Sequence, residues 1–130
     1  GSHVAHMSRG LGMRVVATGH SAARRERNVA GVDELFPAAE LLEMLVQSDF
    51  VAVCVMLTQE TTNLLNAAAF GAMRPGTFVI NVARGEVIDE AAMVAALEEG
   101  TLGAAYLDVY AGELAGAPPR PDLVDHPRLY

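Results

Sequence analysis

Polar and charged side chains follow each of four short apolar runs, and these positions are the first candidates for chemistry. The four segments are "TGHSAARR" (18–25), "LTQET" (57–61), "ARGEV" (83–87) and "DVYAGE" (108–113). In an open parallel sheet, ligands bind at the carboxyl ends of the strands. The four segments are therefore predicted to converge on one cleft.

Arg84 offers the most specific chemistry in these segments. Its guanidinium presents paired donors that match a carboxylate, and it stays charged at any working pH. The alternative interpretation is a surface arginine that follows a strand and pairs with Glu86 or Asp89. On residue type and position alone the surface arginine is the preferred interpretation, and only the flanking motifs described below favour a substrate-binding role.

The elements that must position these residues are strands and helices in alternation. The β-branched apolar runs predict four strands, at 13–18, 50–57, 77–82 and 103–110. Strands that are apolar on both faces and joined by helical crossovers are typical of a parallel sheet covered on both sides. The predicted fold class is therefore α/β, with a doubly wound parallel sheet.

Three helices are predicted between the strands, at 38–47, 64–73 and 89–100. The first should present one apolar stripe, formed by Leu41, Leu42, Leu45 and Val46. The last begins with Asp89 as its N-cap and ends with Gly100 at its C′ position. Its inward side chains are predicted to be Met93, Val94 and Leu97. The tail from Ala111 onward is rich in Pro and Gly and predicts an irregular loop.

Composition limits the function classes. A chain of 130 residues with 52% apolar content can bury one core. The net charge of −7 argues against a nucleic acid or an anionic membrane as partner, which leaves a small molecule. Cys54 is the single cysteine and lies inside an apolar run, where it is assigned to the core. No apolar stretch of bilayer length is visible, so the cytoplasm is the expected location.

The ordered set of motifs resembles one known family. The stretch "LTQETTNLLNAAAFGAMRPGTFVINVARGEVIDEAAMVAALEEGTLGAAYLDVYAGE" is similar to the nucleotide-binding domain of the D-isomer-specific 2-hydroxyacid dehydrogenases. The resemblance extends over essentially the whole chain. It implies a Rossmann-like fold and hydride transfer between NAD(P)H and a small 2-oxo or 2-hydroxy acid, as in glyoxylate and hydroxypyruvate reductases.

The same resemblance implies two catalytic residues. Arg84 would bind the substrate carboxylate and polarise the carbonyl oxygen, and Gly85 would let the backbone clear the ligand. Glu113 would hold a catalytic histidine and raise its pKa, although Leu114 stands where the family usually has proline. A solvated loop glutamate is the alternative for Glu113. The histidine itself is expected outside the given chain, because His126 matches a non-catalytic "HP" pair.

The resemblance also implies a set of cofactor-binding positions. Gly1 matches the third glycine of the phosphate-binding loop, and Asp108 matches a residue near the nicotinamide carboxamide. Met56 replaces a proline usual before "LT". The complete set is Gly1, Gly19, His20, Ser21, Arg24, Met56, Thr58, Thr61, Val82, Ala83 and Asp108. No metal ligand is expected.

Cofactor choice is predicted from the end of the first strand. Family members specific for NAD carry an acid there that binds the ribose hydroxyls, and this chain has Gly19. His20, Ser21, Arg24 and Arg25 follow and could receive a 2′-phosphate, which favours NADP(H). The alternative is that "AARRER" is a solvated basic helix start.

The resemblance implies that residues 1–130 form a partial dinucleotide-binding domain. "GSHVAHMSRGLGMRV" matches the first crossover helix, so the first strand and two of the three glycines are expected outside residues 1–130, together with a substrate domain. The alternative for "GSH" (1–3) is the remnant of a cleaved purification tag. The full-length protein is expected to be a homodimer. Two alternatives remain, a non-catalytic dinucleotide-binding regulator of the corepressor type and an inactive truncated product.

Overall fold

The computed structural model describes residues 1–19, 22–29 and 31–130. Within these ranges, five α-helices and six strands form. They are α1 (Ser2–Gly10), β1 (Val16–Gly19), β2 (Glu26–Val29), β3 (Val32–Pro37), α2 (Leu41–Leu45), β4 (Phe50–Val53), α3 (Ala67–Ala72), β5 (Thr77–Asn81), α4 (Glu90–Glu99), β6 (Leu102–Leu107) and α5 (Pro121–Val124). Short 3-10 turns cover Ala38–Glu40, Gly85–Val87 and Glu113–Ala115. None of the described helices has the length and apolarity needed to cross a membrane.

The second half of the chain contains a parallel sheet in the order β4–β5–β6. Val53 pairs with Asn81 and Asn81 pairs with Leu107, so the three strands end level with one another. The predicted strands and the α/β fold class are confirmed. Strand β4 is shorter than predicted, because it ends at Val53 and Cys54 follows it instead of lying within it.

Helix α4 has the predicted ends and the predicted inner face. The Asp89 side chain accepts a hydrogen bond from the Ala92 amide at 3.1 Å, and Gly100 adopts a left-handed φ of 83°. Met93 and Leu97 are fully buried, and Val94 is also buried. These side chains join a core whose largest fully buried members include Phe36, Leu45, Phe70, Val79 and Leu102.

The apolar stripe predicted for α2 is wrong in part. Leu45 is fully buried and Leu41 is half-buried, but Leu42 and Val46 are exposed. The α-helix covers only Leu41–Leu45, and Met44 takes the second inward position. The sequence pattern extended the helix too far in both directions.

One face of the β4–β5–β6 sheet is open in this chain, although both faces were predicted to be covered. Phe50 and Phe78 stack with their ring centroids 5.4 Å apart, and 58% of Phe50 remains exposed. Tyr106, on the same face of β6, is half exposed. The tail adds little cover, since it pairs with the edge of β6 through a bridge between Ala105 and Leu129.

The first half of the chain forms a second sheet, in the order β1–β3–β2. Strand β3 is parallel to β1 and antiparallel to β2. The sequence predicted neither β2 nor β3, and the helix start proposed for "AARRER" is wrong because Glu26–Val29 is a strand. The inward residues of β3 are Val32, Glu34 and Phe36. Because Glu34 is charged, the apolar alternation of β3 is not apparent in the sequence. Its carboxylate forms an ion pair with Arg14, with 2.8 Å between Oε2 and Nη2.

Strands β1 and β4 are edge strands of their two sheets, and a cavity of about 880 Å³ is lined by both. The lining is largely apolar and includes Val16 and Ala17 on one side and Val51 and Val53 on the other. The Thr18 hydroxyl is buried and has no hydrogen-bond partner in the part of the chain that the structure describes. The two sheets therefore share a core but are not joined by a strand within the described ranges.

Candidate active site

The carboxyl ends of β4, β5 and β6 bring three of the four predicted segments together. The Val82 amide donates to the Val53 carbonyl at 3.4 Å, and the Asp108 amide donates to the Asn81 carbonyl at 3.0 Å. The segments at 57–61, 83–87 and 108–113 thus start from one sheet edge. The segment at 18–25 follows β1 and belongs to the other sheet, across the cavity.

Asn81 fixes the turn that presents Arg84, and the sequence analysis missed this role. The Asn81 side chain is fully buried at the end of β5. Its amide nitrogen donates to the Arg84 carbonyl at 2.9 Å, and its side-chain oxygen accepts from the Ala83 amide at 3.0 Å. An asparagine directly after an apolar strand favours such a side-chain-closed turn, so the signal was present.

Arg84 projects an exposed guanidinium from this turn. Its Nη1 donates to the Ala83 carbonyl at 2.7 Å, and it makes no ion pair with any described residue. The partners of the alternative interpretation are engaged elsewhere: Asp89 caps α4, and Glu86 Oε1 accepts from the Gly112 amide at 3.1 Å. That hydrogen bond is the main reason why the pKa of Glu86 lies below its ordinary value.

Gly85 is required by packing within the protein, a role that the sequence analysis did not foresee. A Cβ built on Gly85 would lie 1.9 Å from the carbonyl carbon of Tyr110 and 2.1 Å from the Ala111 nitrogen. The peptide bond between Tyr110 and Ala111 therefore lies directly against the Gly85 Cα. The absence of a side chain lets the segment that follows β6 pack on the segment that follows β5.

Glu113 lies on the loop held by this contact. It is exposed, begins a 3-10 turn, and accepts a long hydrogen bond of 3.4 Å from the Tyr110 amide through Oε2. The Ala111 amide of the same loop donates to Glu90 Oε1 at 2.7 Å. The two predicted catalytic residues, Arg84 and Glu113, are therefore carried by two segments in direct contact.

The residues predicted to border the cofactor lie along the same edge. Met56, Val82 and Asp108 are exposed, and Met56 exposes 82% of its surface. Thr61 Oγ1 donates to the Met56 carbonyl at 2.7 Å and accepts from the Thr58 amide at 2.7 Å. The two threonines therefore close their own turn. No three His, Cys, Asp or Glu side chains of the described residues form a group that could hold a metal ion.

Gly1 lies at the amino end of α1, beside the end of β4. A Cβ built on Gly1 would lie 3.8 Å from the Cys54 Cβ, in ordinary contact. The helix has no side-chain cap in the described chain, so its first amide groups are available to an anion. This arrangement fits the pyrophosphate of a dinucleotide.

The positions predicted for cofactor choice are only partly described. Gly19 ends β1 and pairs with Pro37, and Arg24 is exposed. His20 and Ser21 lie outside the described residues. Arg25 forms ion pairs with Glu40 and Glu43, and its guanidinium lies 4.5 Å above the Phe36 ring. Arg25 therefore contributes to the fold, whereas Arg24 is exposed and makes no ion pair with the described residues.

Fold and site together define an α/β nucleotide-binding domain of Rossmann type. The sequence model of the family described as "D-isomer specific 2-hydroxyacid dehydrogenase, NAD binding domain" matches residues 1–130. The chain belongs to the D-isomer-specific 2-hydroxyacid dehydrogenase family and represents its NAD-binding domain, which confirms the resemblance found in the sequence.

Individual relatives agree with this assignment. A glyoxylate reductase of Thermococcus onnurineus is 36% identical over 113 residues, which are 87% of this chain and 33% of that protein. A D-isomer-specific 2-hydroxyacid dehydrogenase family protein of Aeromonas salmonicida superposes with a TM-score of 0.84 at 37% identity, over 98% of this chain and 39% of that one. A dehydrogenase of Xanthobacter autotrophicus, solved with NADPH and MES, gives 0.74 at 30% identity, over 91% and 56%. The chain thus spans about a third of the length of the first relative.

Proposed function

We propose that this chain is the dinucleotide-binding part of an oxidoreductase that transfers a hydride between NADP(H) and a small 2-oxo or 2-hydroxy acid. Glyoxylate and hydroxypyruvate are the first substrates to test, and the similarity to a glyoxylate reductase supports that choice. The observation that carries the proposal is the Arg84 guanidinium, exposed at the sheet edge and in no ion pair with a carboxylate of the described residues. The family's fold supplies the cofactor-binding edge around it.

Arg84 would bind the substrate carboxylate through two parallel hydrogen bonds. Its present contact with the Ala83 carbonyl is local and exposed, so a bound carboxylate could replace it. A guanidinium close to the reacting carbonyl also stabilises the negative charge that develops on its oxygen as the hydride arrives. Asn81 would hold the turn in the position from which Arg84 can both bind the carboxylate and stabilise the charge on the carbonyl oxygen.

Glu113 would orient the imidazole of a histidine supplied by another part of the enzyme. Its Oε2 accepts from the Tyr110 amide, and its Oε1 makes no hydrogen bond with the described residues. A carboxylate beside an imidazole stabilises the protonated ring and raises its pKa. That histidine would then exchange a proton with the substrate oxygen.

The nicotinamide of the bound cofactor would donate or accept the hydride. The amino end of α1 would hold the pyrophosphate, and the exposed Asp108 would meet the nicotinamide carboxamide. NADP(H) is favoured because Gly19 supplies no acid to repel a 2′-phosphate and Arg24 is available beside it. The relative solved with NADPH shows that a related domain binds this form.

The chain would act within a longer, cytoplasmic, homodimeric enzyme that carries a separate substrate domain. Two features support a missing central strand: the cavity between the edges of β1 and β4, and the buried Thr18 hydroxyl on its lining, which has no hydrogen-bond partner among the described residues. An inserted strand would complete both edge ladders. The coverage of a third of the first relative agrees with this proposal.

The test is turnover of the intact enzyme. NADPH and NADH oxidation are measured with glyoxylate and with hydroxypyruvate, for the wild type, Arg84→Ala and Arg74→Ala. Arg84→Ala should lower kcat/KM by about 100- to 1,000-fold. Arg74 is an exposed arginine that precedes β5 at the opposite end of the sheet and pairs with Asp49, so its loss should change kcat/KM by no more than about twofold.

Other outcomes would contradict the proposal in different ways. Cofactor binding without turnover of any 2-oxo acid would indicate the regulatory, corepressor-like alternative. Absence of both binding and turnover would indicate the inactive product. Full activity of Arg84→Ala would remove the substrate-binding role of this residue.

A further inference from the structure

Three successive backbone amides of the loop that carries Glu113 donate to three different glutamates. The Tyr110 amide donates to Glu113 at 3.4 Å, the Ala111 amide to Glu90 at 2.7 Å, and the Gly112 amide to Glu86 at 3.1 Å. Glu86 and Glu90 both follow Arg84 in sequence. The loop after β6 is thus attached by side chains to the segment that presents the arginine.

Glu90 makes the shortest and most buried of these contacts. Only 8% of its surface is exposed, and its carboxylate lies at the first residue of α4, where the helix dipole favours a negative charge. Carboxylates are almost never buried without a specific partner. The partner of Glu90 is the Ala111 amide, 21 residues along the chain, so this burial serves a contact between segments.

Gly85 and Glu86 reinforce the same contact from the other side. The Tyr110 to Ala111 peptide bond lies against the Gly85 Cα, which leaves room for no side chain. Gly112 adopts a left-handed φ of 83°, and its amide donates to Glu86, which lowers the pKa of that carboxyl. The three contacts together leave the loop little freedom to shift along the sheet edge.

We infer that Glu90, assisted by Glu86, is a positioning residue that fixes the loop bearing Glu113 at the correct distance from Arg84. The inference deepens the proposed function and rests on it. Neither glutamate needs to touch the substrate for this role. Each acts through a backbone amide, and the consequence is the placement of the Glu113 carboxylate and of the histidine that it would orient.

The experiment compares Glu90→Ala, Glu90→Gln and the matched control Glu99→Ala in the intact enzyme. Glu99 is exposed at the far end of the same helix. Glu90→Ala should lower kcat of the folded enzyme by about 10- to 100-fold, because small displacements of catalytic groups have effects of this size. Glu90→Gln keeps an acceptor oxygen and should restore most of kcat. Cofactor Kd should stay within about twofold for all three variants.

Two further readouts separate positioning from simple stabilisation. Hydrogen exchange of the Ala111 amide should accelerate in Glu90→Ala and not in Glu99→Ala. The pH profile of kcat/KM should move in the same direction as in Glu113→Gln, and adding Glu90→Ala to Glu113→Gln should lower kcat by less than about threefold more, since residues acting as one unit are not additive. If Glu90→Ala does not fold, Glu86→Ala tests the same loop from its more exposed side.

The inference is overturned if Glu90→Ala lowers only the unfolding midpoint while kcat and the pH profile of the folded enzyme match the wild type. It is also overturned if exchange at Ala111 is unchanged. Failure of the proposed function gives a different result, because Arg84→Ala would then keep full activity whatever happens at Glu90. Loss of activity in Arg84→Ala with normal kcat in Glu90→Ala would reject the positioning role alone.

Discussion

The two sheets of this molecule hold their candidate site residues in different ways. At the end of the β4–β5–β6 sheet, Arg84 and Glu113 lie on segments connected by hydrogen bonds from backbone amides to glutamate side chains and by the contact at Gly85. At the end of β1, Gly19 and Arg24 lie beside a short antiparallel hairpin whose β2 strand is largely exposed. The segments that carry Arg84 and Glu113 should therefore tolerate few changes, and the loop after β1 should tolerate many.

Gly85→Ala gives the largest expected effect and tests the rigidity of the contact between the segments that carry Arg84 and Glu113. The new Cβ would overlap the Tyr110 carbonyl carbon at 1.9 Å, so the loop must move or the domain must lose stability. The expected loss is about 3 kcal/mol or more in the free energy of unfolding, measured by urea denaturation. Any variant that folds should have lost activity.

Gly71→Ala is the matched control for that substitution. Gly71 lies in α3, and a Cβ there would meet no atom of the described residues within 4 Å. Alanine is favoured over glycine inside a helix, so this variant should be more stable by about 0.5 to 1 kcal/mol. Equal effects of the two substitutions would contradict the packing role of Gly85.

Gly19→Asp tests the loop after β1, and the domain should still fold with this substitution. Among the described residues, a Cβ on Gly19 would meet only Leu35 Cδ1 at 3.8 Å, which is ordinary contact. The new carboxylate could accept hydrogen bonds from the ribose hydroxyls and would repel a 2′-phosphate, so the ratio of kcat/KM for NADPH to NADH should fall by about 10- to 100-fold. An unchanged ratio would mean that Gly19 does not face the adenosine ribose.

Arg24→Ala and Arg25→Ala should separate cofactor recognition from stability within one loop. Arg25 pairs with Glu40 and Glu43 and lies over Phe36, so its removal should cost about 1 kcal/mol in the free energy of unfolding. Arg24 makes no ion pair with the described residues, and its removal should raise the KM for NADPH without changing stability. The reverse pattern would reassign the two arginines.

The smallest expected effect is the pH dependence contributed by Glu86. Its pKa is lowered in the folded protein, so the hydrogen bond from Gly112 stabilises the fold above the ordinary carboxyl range and is lost as the pH falls through the lowered pKa. Wild type and Glu86→Gln should differ by less than about 1 kcal/mol at pH 7 and converge below about pH 4. A difference that grows on acidification would contradict this sign.

Much of the β4–β5–β6 sheet and of helix α4 could be predicted from the sequence, because the sequence patterns that specify them are local. Apolar runs predicted β4, β5 and β6, and Asp89 and Gly100 predicted both ends of α4. The hairpin of β2 and β3 was not predicted, because β2 is polar and exposed and a glutamate occupies an inward position of β3. Glu34 becomes acceptable there only because Arg14, distant in sequence, reaches it.

The site was predictable in its residue types and less so in its supports. The position of Arg84 after an apolar strand and its family motif were legible, and its exposure agrees with a binding role. The hydrogen-bond partners of Glu86 and Glu90 could not be predicted, because they are backbone amides 26 and 21 residues away. Residue type at those amides carries no information about the contact.

The sequence by itself determined the α/β class, the family, the strand that leads to Arg84 and the capped helix that follows, because these depend on periodicity, turn chemistry and ordered motifs. Only the tertiary structure decided that a side chain at Gly85 would clash with the loop after β6. It also decided which carboxylates pair with Arg25 and which glutamates bind the loop that carries Glu113. These depend on close approach between segments far apart in the chain, and the pattern of neighbouring residues does not record such distances.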